Sequence, residues 1–377
     1  MREEIVRFFE CLIPITICNL RCEYCYVIQR NYRNMKKANL KYSAEQIGKA
    51  LRKERLGGMC FFSICGAGET LAQPEIIDIV QNILEQGHVV NVTTNGTLTG
   101  VFKKIKNINS EYLKKLHFSF SLHYIELKRL NLLDTFFKNI KFVQSLGCSV
   151  MVQLNLCDQY LPYIEEIKNI CKENIGAYPQ IAATRDEKEG INKVKLYTNL
   201  DVKEYEDIGN SFNSELFKYT MKNFNVKRTE FCYAGDRSGI LNLATGELKK
   251  CYSDPCSQNI FENINKKIKF EPIGNNCGTC FCTNSSHFMS LGVIDKDENI
   301  SYCSLRDRPE ANWFNETTRK LLSQKLIGNK IEYSEKRKKY INSKEKRKNN
   351  ISKIKNRTKF VIKKIMGVKG RCQEPRN

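Results

Sequence analysis

The chain has 377 residues, 41% of them hydrophobic, and a formal charge of +21. That length excludes a single small core and calls for a large domain with an appendage, or for two domains. No long apolar run occurs, and the opening MREEIVRFFECL carries acids at positions 3 and 4, so neither a membrane-spanning helix nor a signal peptide is read from the sequence. The expectation is a cytosolic chain, where thiols stay reduced and clustered cysteines read as metal ligands rather than disulfides.

The first 185 residues alternate strand-like and helix-like segments. CLIPITI (11–17) is a short apolar strand. SAEQIGKALRKE (43–54) is a helix capped by Ser43, with Ile47 and Leu51 at helical spacing. MCFFSIC (59–65) is a buried strand. PEIIDIVQNILEQG (74–87) is a helix opened by proline and closed by glycine. Strands follow at HVVNVTT (88–94), KLHFSFSL (115–122), CSVMVQLNL (148–156) and YPQIAAT (178–184), with helices at 131–147 and 161–176 between them. Such alternation builds βαβ units on a parallel sheet. Six units are too few for a closed eight-fold barrel and predict an α/β fold of the partial (β/α)6 barrel type. The chain divides into a core at 1–190, a connecting helical segment at 191–230, a small cysteine-rich domain at 231–305 and a helical, strongly basic tail at 306–377. No internal repeat is found.

Of the 17 cysteines, three lie at 18–25 and seven between 232 and 303. Cys11, Cys60, Cys148 and Cys171 read as small buried hydrophobes. The stretch CNLRCEYCY (18–26) places Cys18, Cys22 and Cys25 in a loop after the first strand, where sites form in parallel α/β folds. Three thiolates are one short of a closed zinc site. On an iron–sulfur cluster they leave one iron open. This Cys-x3-Cys-x2-Cys spacing, followed by Tyr26, resembles the radical S-adenosylmethionine (SAM) superfamily. The resemblance implies a [4Fe–4S] cluster whose open iron takes the amino and carboxylate groups of SAM. It also implies reductive cleavage of SAM to a 5′-deoxyadenosyl radical that abstracts hydrogen from a substrate.

Further stretches carry the resemblance at successive strand ends, over about residues 8–185. GAGET (66–70) is similar to the family's Gly-Gly-Glu stretch, which implies that Gly66, Gly68 and Glu69 hold the SAM ammonium. TTNGT (93–97) implies a SAM contact by Asn95, although taken alone the stretch reads first as an Asn-Gly turn. Tyr24 and Tyr26, beside the third cysteine, Ser121 and His123 after the fourth strand, Asn155 or Gln153 on the fifth, and Arg185 after the sixth complete the implied cofactor contacts. Arg185 would meet the SAM carboxylate or an anionic substrate. Cys65 and Cys157 fall at strand ends and read first as buried structural thiols, with hydrogen donation to a product radical the alternative.

The second cysteine set begins Cys232-x13-Gly246-x4-Cys251, across a strand-turn-strand stretch read as a hairpin. It resembles the SPASM or shorter Twitch extension behind many radical SAM cores, which binds auxiliary [4Fe–4S] clusters. A full SPASM pattern would place a further cysteine where Ser286 stands, so one auxiliary cluster is expected. Its best ligands are Cys232, Cys251, Cys277 and Cys282. Cys280 is the chief rival, followed by Cys303 and Cys256. A zinc ribbon is the competing account.

Residues 330–371 carry 17 Lys/Arg against three acids, so the basicity belongs mainly to the tail. A solvated charged segment is the plain reading, a peripheral contact with the membrane's inner face the second, and nucleic-acid binding the weakest. Only ten residues precede the first strand as read, which leaves no room for a leader-binding module and counts against a ribosomal-peptide maturase. A looser resemblance, carried by FSLHYIELKRLNLLDTFFKNIK, EFCYAGDRSG and CYSDPCSQNIF, points to radical SAM proteins that accompany cell-surface polysaccharide functions. It suggests a carbohydrate or lipid-linked sugar substrate. A peptide- or protein-modifying maturase is the alternative, and a zinc-stabilised nucleic-acid- or membrane-binding protein the reading from another class. The resemblance also implies a flavodoxin- or ferredoxin-type electron donor.

Overall fold

Six strands rich in β-branched and aromatic residues run parallel in chain order: β1 (Arg7–Ile13), β2 (Cys60–Gly66), β3 (Val89–Thr94), β4 (Leu116–Ser121), β5 (Ser149–Leu156) and β6 (Gln180–Ala183). The computed structural model describes residues 3–188, 194–254, 257–275, 277–279, 281–282, 285–294, 299–326, 333–347 and 351. Each strand pairs with the next and, among the described residues, β6 has no further strand beside it, so the barrel is partial, as six βαβ units predict.

The outer face of the sheet is apolar and takes the helices. Helix Ile76–Glu85 buries Ile76, Ile77, Ile79, Val80, Ile83 and Leu84 along one side. The inner face is polar. Glu10, Ser63, Asn91 and Ser119 stand at inward positions of β1 to β4. Three of them form a buried chain, in which Ser119 Oγ donates to Asn91 Oδ1 at 2.9 Å and Asn91 Nδ2 donates to Ser63 Oγ at 3.0 Å.

Local chemistry moves several predicted boundaries. The first strand ends at Ile13 instead of running from 11 to 17, because Pro14 has no N–H to donate to a ladder. The helix expected over 43–54 begins with a Ser43–Gln46 capping box but stops at Ala50 and restarts as Lys53–Leu56. The helix expected from 161 starts at Ile164, since Pro162 lies in a 3-10 turn, Asp158–Tyr163, that precedes it.

The cysteine-rich region is not a separate layer. Its hairpin, β9 (Ser238–Asn242) and β10 (Glu247–Lys249), joins the core sheet, with β9 parallel to β1 and β11 (Ser257–Asn259) outside β10. A small hairpin of β7 (Arg185–Asp186) and β8 (Lys195–Leu196) follows β6. Residues after 306, expected to open the basic tail, instead close the lower end of the sheet. Trp313, Phe314, Leu321 and Leu322 are buried, and Trp313 Nε1 donates to the Ile175 carbonyl at 3.0 Å. Residues 335–347 are helical, and residues 327–332, 348–350 and 352–377 of the basic tail lie outside the described residues. No helix among the described residues is long and apolar enough to cross a membrane.

His88 shows how burial sets a titration. It is fully buried, Nδ1 accepts from the Cys60 N–H at 3.0 Å, and Nε2 donates to the Leu51 carbonyl at 2.6 Å. Burial holds its pKa down to about 4. The folded chain therefore resists protonation that the unfolded chain accepts near 6.5, so this stability is present above pH 6.5 and is lost as pH falls toward 4. The stability advantage of the wild type over His88→Gln should shrink by about 2 kcal/mol between pH 7.5 and pH 5. Urea unfolding at the two pH values measures it, and an unchanged gap would refute the assignment.

Candidate active site

The cysteine loop leaves the carboxyl end of β1 and is tied to the other strand ends one by one. Backbone pairing between β1 and β2 continues past the strands: Ala67, Gly68 and Glu69 N–H donate to the carbonyls of Ile13, Ile15 and Ile17 at 3.3, 2.6 and 2.7 Å. A Cβ on Gly68 would fall 2.3 Å from the Ile17 carbonyl oxygen, so glycine is required there by loop-on-loop contact. The resemblance implied a close approach to ligand; the close approach is to the chain itself.

Glu69 links this turn to the next. Its buried carboxylate accepts from Thr94 Oγ1 at 2.6 Å, the Asn95 N–H at 2.7 Å and the Leu71 N–H at 3.0 Å. Burial raises its pKa, and these three donors oppose the rise. A carboxylate has about four acceptor positions, so one remains for a further donor. Asn95 turns back to the cysteines: Nδ2 donates to Asn19 Oδ1 at 2.8 Å and lies 3.8 Å from Cys18 Sγ, while Oδ1 accepts from Thr97. The side chain expected to bind SAM is therefore largely committed to holding the cysteine loop.

The remaining ties reach β4 to β6. Arg21 N–H donates to Glu126 Oε2 at 2.7 Å. Tyr24 Oη sits 2.6 Å from His123 Nδ1 and 2.8 Å from Tyr160 Oη, a buried cluster in which burial lowers His123 to a pKa of about 4 and keeps it neutral. Gln29 spans to the β6 end, with Nε2 donating to the Arg185 carbonyl at 3.1 Å and Oε1 accepting from the Glu187 N–H at 2.7 Å.

These ties surround a cavity of about 370 Å³ at the carboxyl ends of the strands. Cys18, Cys22 and Cys25 line it, with Tyr24, Tyr26, Gly66, Gly68, Glu69, Asn95, Ser121, His123, Gln153, Asn155 and Arg185. All the core residues singled out in the sequence as cofactor contacts thus face one space. Tyr26 is 42% exposed and stands at the rim. Arg185 pairs with Glu187 at 3.5 Å, which also takes Arg30. Asn19, Thr94 and Glu187 are not marked by the sequence, since an Asn and a Glu in loops and a Thr at a strand end carry no signal until their partners are known. Burial pushes the Cys18 and Cys22 thiols up, so holding both as thiolates calls for a cationic partner. Of the two isolated strand-end thiols, Cys65 lines the cavity, and burial raises it to about 12. Cys157 is buried outside it.

A second cavity of about 390 Å³ occupies the barrel interior below the first, sharing Cys65, Thr93, Ser121, Gln153 and Arg185 with it. Its far wall carries Cys282. The Cys232 thiol is raised by burial, and charge on Cys251, Cys282 and Cys277 adds to the effect, which puts these four thiols within electrostatic reach of one another. Cys303 is elsewhere, 3.9 Å from Asp307 Oδ2. Cys256 and Cys280 lie outside the described residues. Among the described residues no three His, Cys, Asp or Glu side chains meet as ligands of a single metal ion. A [4Fe–4S] cluster takes its thiolates at separate iron corners, which stand wider apart than the ligands of one ion.

Residues 12–156 match the family model described as the radical SAM superfamily. No curated relative matches the chain. Similar solved structures include Streptococcus suis SuiB bound to S-adenosylmethionine, at 18% identity over 70% of this chain and 66% of that one, with a TM-score of 0.48. The same protein bound to its precursor peptide SuiA aligns over 70% of this chain and 65% of that one, at 18% identity and a TM-score of 0.48. Native anSMEcpe with bound AdoMet aligns at 14% identity over 69% of this chain and 80% of that one, with a TM-score of 0.47. This chain spans about two thirds of the SuiB length. The family match starts inside β1 and ends on the last residue of β5, taking in the cysteine loop and the GAGET and TTNGT turns, and residues 12–156 of this chain are a radical SAM domain, the kind that works with a [4Fe–4S] cluster and S-adenosylmethionine.

Proposed function

We propose that this chain is an enzyme that cleaves S-adenosylmethionine reductively at its carboxyl-end cavity and takes a hydrogen atom from a substrate held in the barrel interior. The observation that carries this is the convergence of three loop thiols and the ends of β2 to β6 on one cavity. Cys18, Cys22 and Cys25 would hold the [4Fe–4S] cluster, which with SAM supplies one-electron cleavage to a 5′-deoxyadenosyl radical. Glu69 offers its remaining acceptor position to the SAM ammonium. Arg185 meets the SAM carboxylate. Leu20, Val27 and Ile28 supply an apolar wall for the adenine ring. Asn95 and Asn19 position the cysteine loop.

Cys232, Cys251, Cys277 and Cys282 would hold one auxiliary [4Fe–4S] cluster. The inner cavity mixes apolar walls, Phe8, Met151 and Phe281 among them, with the polar groups Ser63, Asn91 and Ser119 across its strands, and those polar groups are what favours a hydroxyl-bearing substrate such as a carbohydrate or lipid-linked sugar. A peptide substrate is the reading that product analysis would substitute.

Anaerobic reconstitution with iron, sulfide, reductant and SAM should yield 5′-deoxyadenosine, and Cys22→Ala should lower the yield at least ~100-fold. Equal yields, or two zinc ions per chain without acid-labile sulfide, would sink the proposal. Iron analysis should give roughly eight atoms per chain in the wild type and roughly four in Cys251→Ala, which keeps SAM cleavage. A wild-type content near four removes the auxiliary cluster. Glu69→Gln should weaken SAM binding by about 1.5–3 kcal/mol, roughly 10- to 100-fold, in equilibrium titration of the reconstituted protein. An unchanged affinity assigns Glu69 to the loop ties alone.

A further inference from the structure

Among the described residues, the inner cavity has one cation without a counter-charge. Arg306 ends the helix Tyr302–Arg306 and is 2% exposed, yet it lines the cavity. Its Nη1 has no hydrogen-bond partner, and Nη2 reaches Ser286 Oγ only at 3.5 Å. The guanidinium lies 4.0 Å over the Tyr302 ring and makes no ion pair among the described residues. The neighbouring arginines differ. Arg308 donates to the Asn213 and Phe212 carbonyls, and Arg319 pairs with Asp307 at 2.8 Å.

Among the described residues of the cavity wall, no carboxylate pairs with Arg306. Glu10, the one acid lining the cavity among the described residues, accepts from Tyr252 Oη at 2.6 Å. His117 and His287 are close enough to feel the Arg306 charge, and burial holds both neutral. A buried unpaired charge destabilises a fold, and arginine cannot escape by losing its proton. Its planar fork matches the two oxygens of a carboxylate or phosphate.

We infer that Arg306 recognises an oxyanion on the substrate, so that the molecule entering the inner cavity carries a phosphate or carboxylate group that supplies the missing counter-charge. This rests on the reading above that the inner cavity holds the substrate. Arg306 is a binding residue for that group. It leaves the SAM cavity, which it does not line, unaffected.

The test uses the reconstituted full-length protein at constant ionic strength, titrated calorimetrically with inorganic phosphate, diphosphate, acetate and succinate. The wild type should bind at least one of these saturably. Arg306→Gln and Arg306→Met should bind it at least tenfold more weakly, and Arg306→Lys should fall between them. Preference for phosphate or diphosphate marks a phosphorylated substrate, and preference for acetate or succinate marks a carboxylate. Iron content should be the same in all four proteins. With no anion present, Arg306→Met should melt no lower than the wild type, because it removes a buried uncompensated charge. The inference is overturned if the wild type binds none of the four, if the variants bind equally, or if Arg306→Met loses iron and melts lower without any anion effect. Substrate-free 5′-deoxyadenosine formation separates the two levels: its absence in every protein refutes the enzyme reading, while the anion titration still decides the role of Arg306.

Discussion

Continuation of the β1–β2 ladder beyond its strands is the constraint on which the site depends. The N–H groups of residues 67 to 69 keep donating to carbonyls 13 to 17 after both strands have ended, so the cysteine loop departs from a fixed base. Only a glycine at 68 lets the two backbones lie that close. Glu69 then carries the constraint to β3 through Thr94 and Asn95, and Asn95 returns it to the cysteine loop through Asn19. Glu69, Thr94 and Asn95 are buried, so removing one of these partners leaves the other without water or protein to bond, at about 1–3 kcal/mol each. A loop of 12 residues after Ile13 would otherwise be free to splay its thiols apart. The ties to Glu126, His123 and the Arg185–Glu187 turn close the ring on the remaining strands.

The same sheet makes two spaces of different character. Closed eight-stranded barrels fill their interiors with branched apolar side chains. Here the inward positions carry Glu10, Ser63, Asn91 and Ser119, and six strands leave one side open. Residues of 216–225, with Phe281, Ser286, His287 and Tyr302, cover the interior from that side, where Cys282 and Arg306 stand on its wall. The outer cavity holds the three-thiol loop and the inner one touches the four-thiol set, with Cys65, Ser121, Gln153 and Arg185 common to both. Under the proposed function, a substrate in the inner cavity would lie between the two sets of thiols.

The C-terminal third is more deeply built into the core than a stapled appendage would be. β9 extends the parallel sheet at the β1 edge, so the cysteines of its hairpin are positioned by the same strand that launches Cys18. At the other end, the Val150 N–H donates to the Trp313 carbonyl at 2.8 Å, and Asn315 caps the ends near Lys114 and Gly147. The apolar residues at 313–322 explain why this segment folds in, although its neighbours downstream are strongly basic.

What the sequence determined by itself was local. Short apolar runs, helical spacing and proline and glycine punctuation located six strands and most of their helices. Cysteine spacing and the GAGET and TTNGT turns marked the residues that converge on the outer cavity, because ligand spacing and turn chemistry are carried by neighbours in the chain. Strand ends were less legible: β1 slid back to Arg7–Ile13 because one missing N–H at Pro14 outweighed an apolar run. The tertiary structure alone decided the rest. Asn95 reads as a turn residue until Asn19, 76 positions away, is beside it. Arg306 reads as one charge among many in a basic chain until folding buries it without an acid. Burial and pairing are properties of what lies across space, and for these residues no spacing in the chain records it.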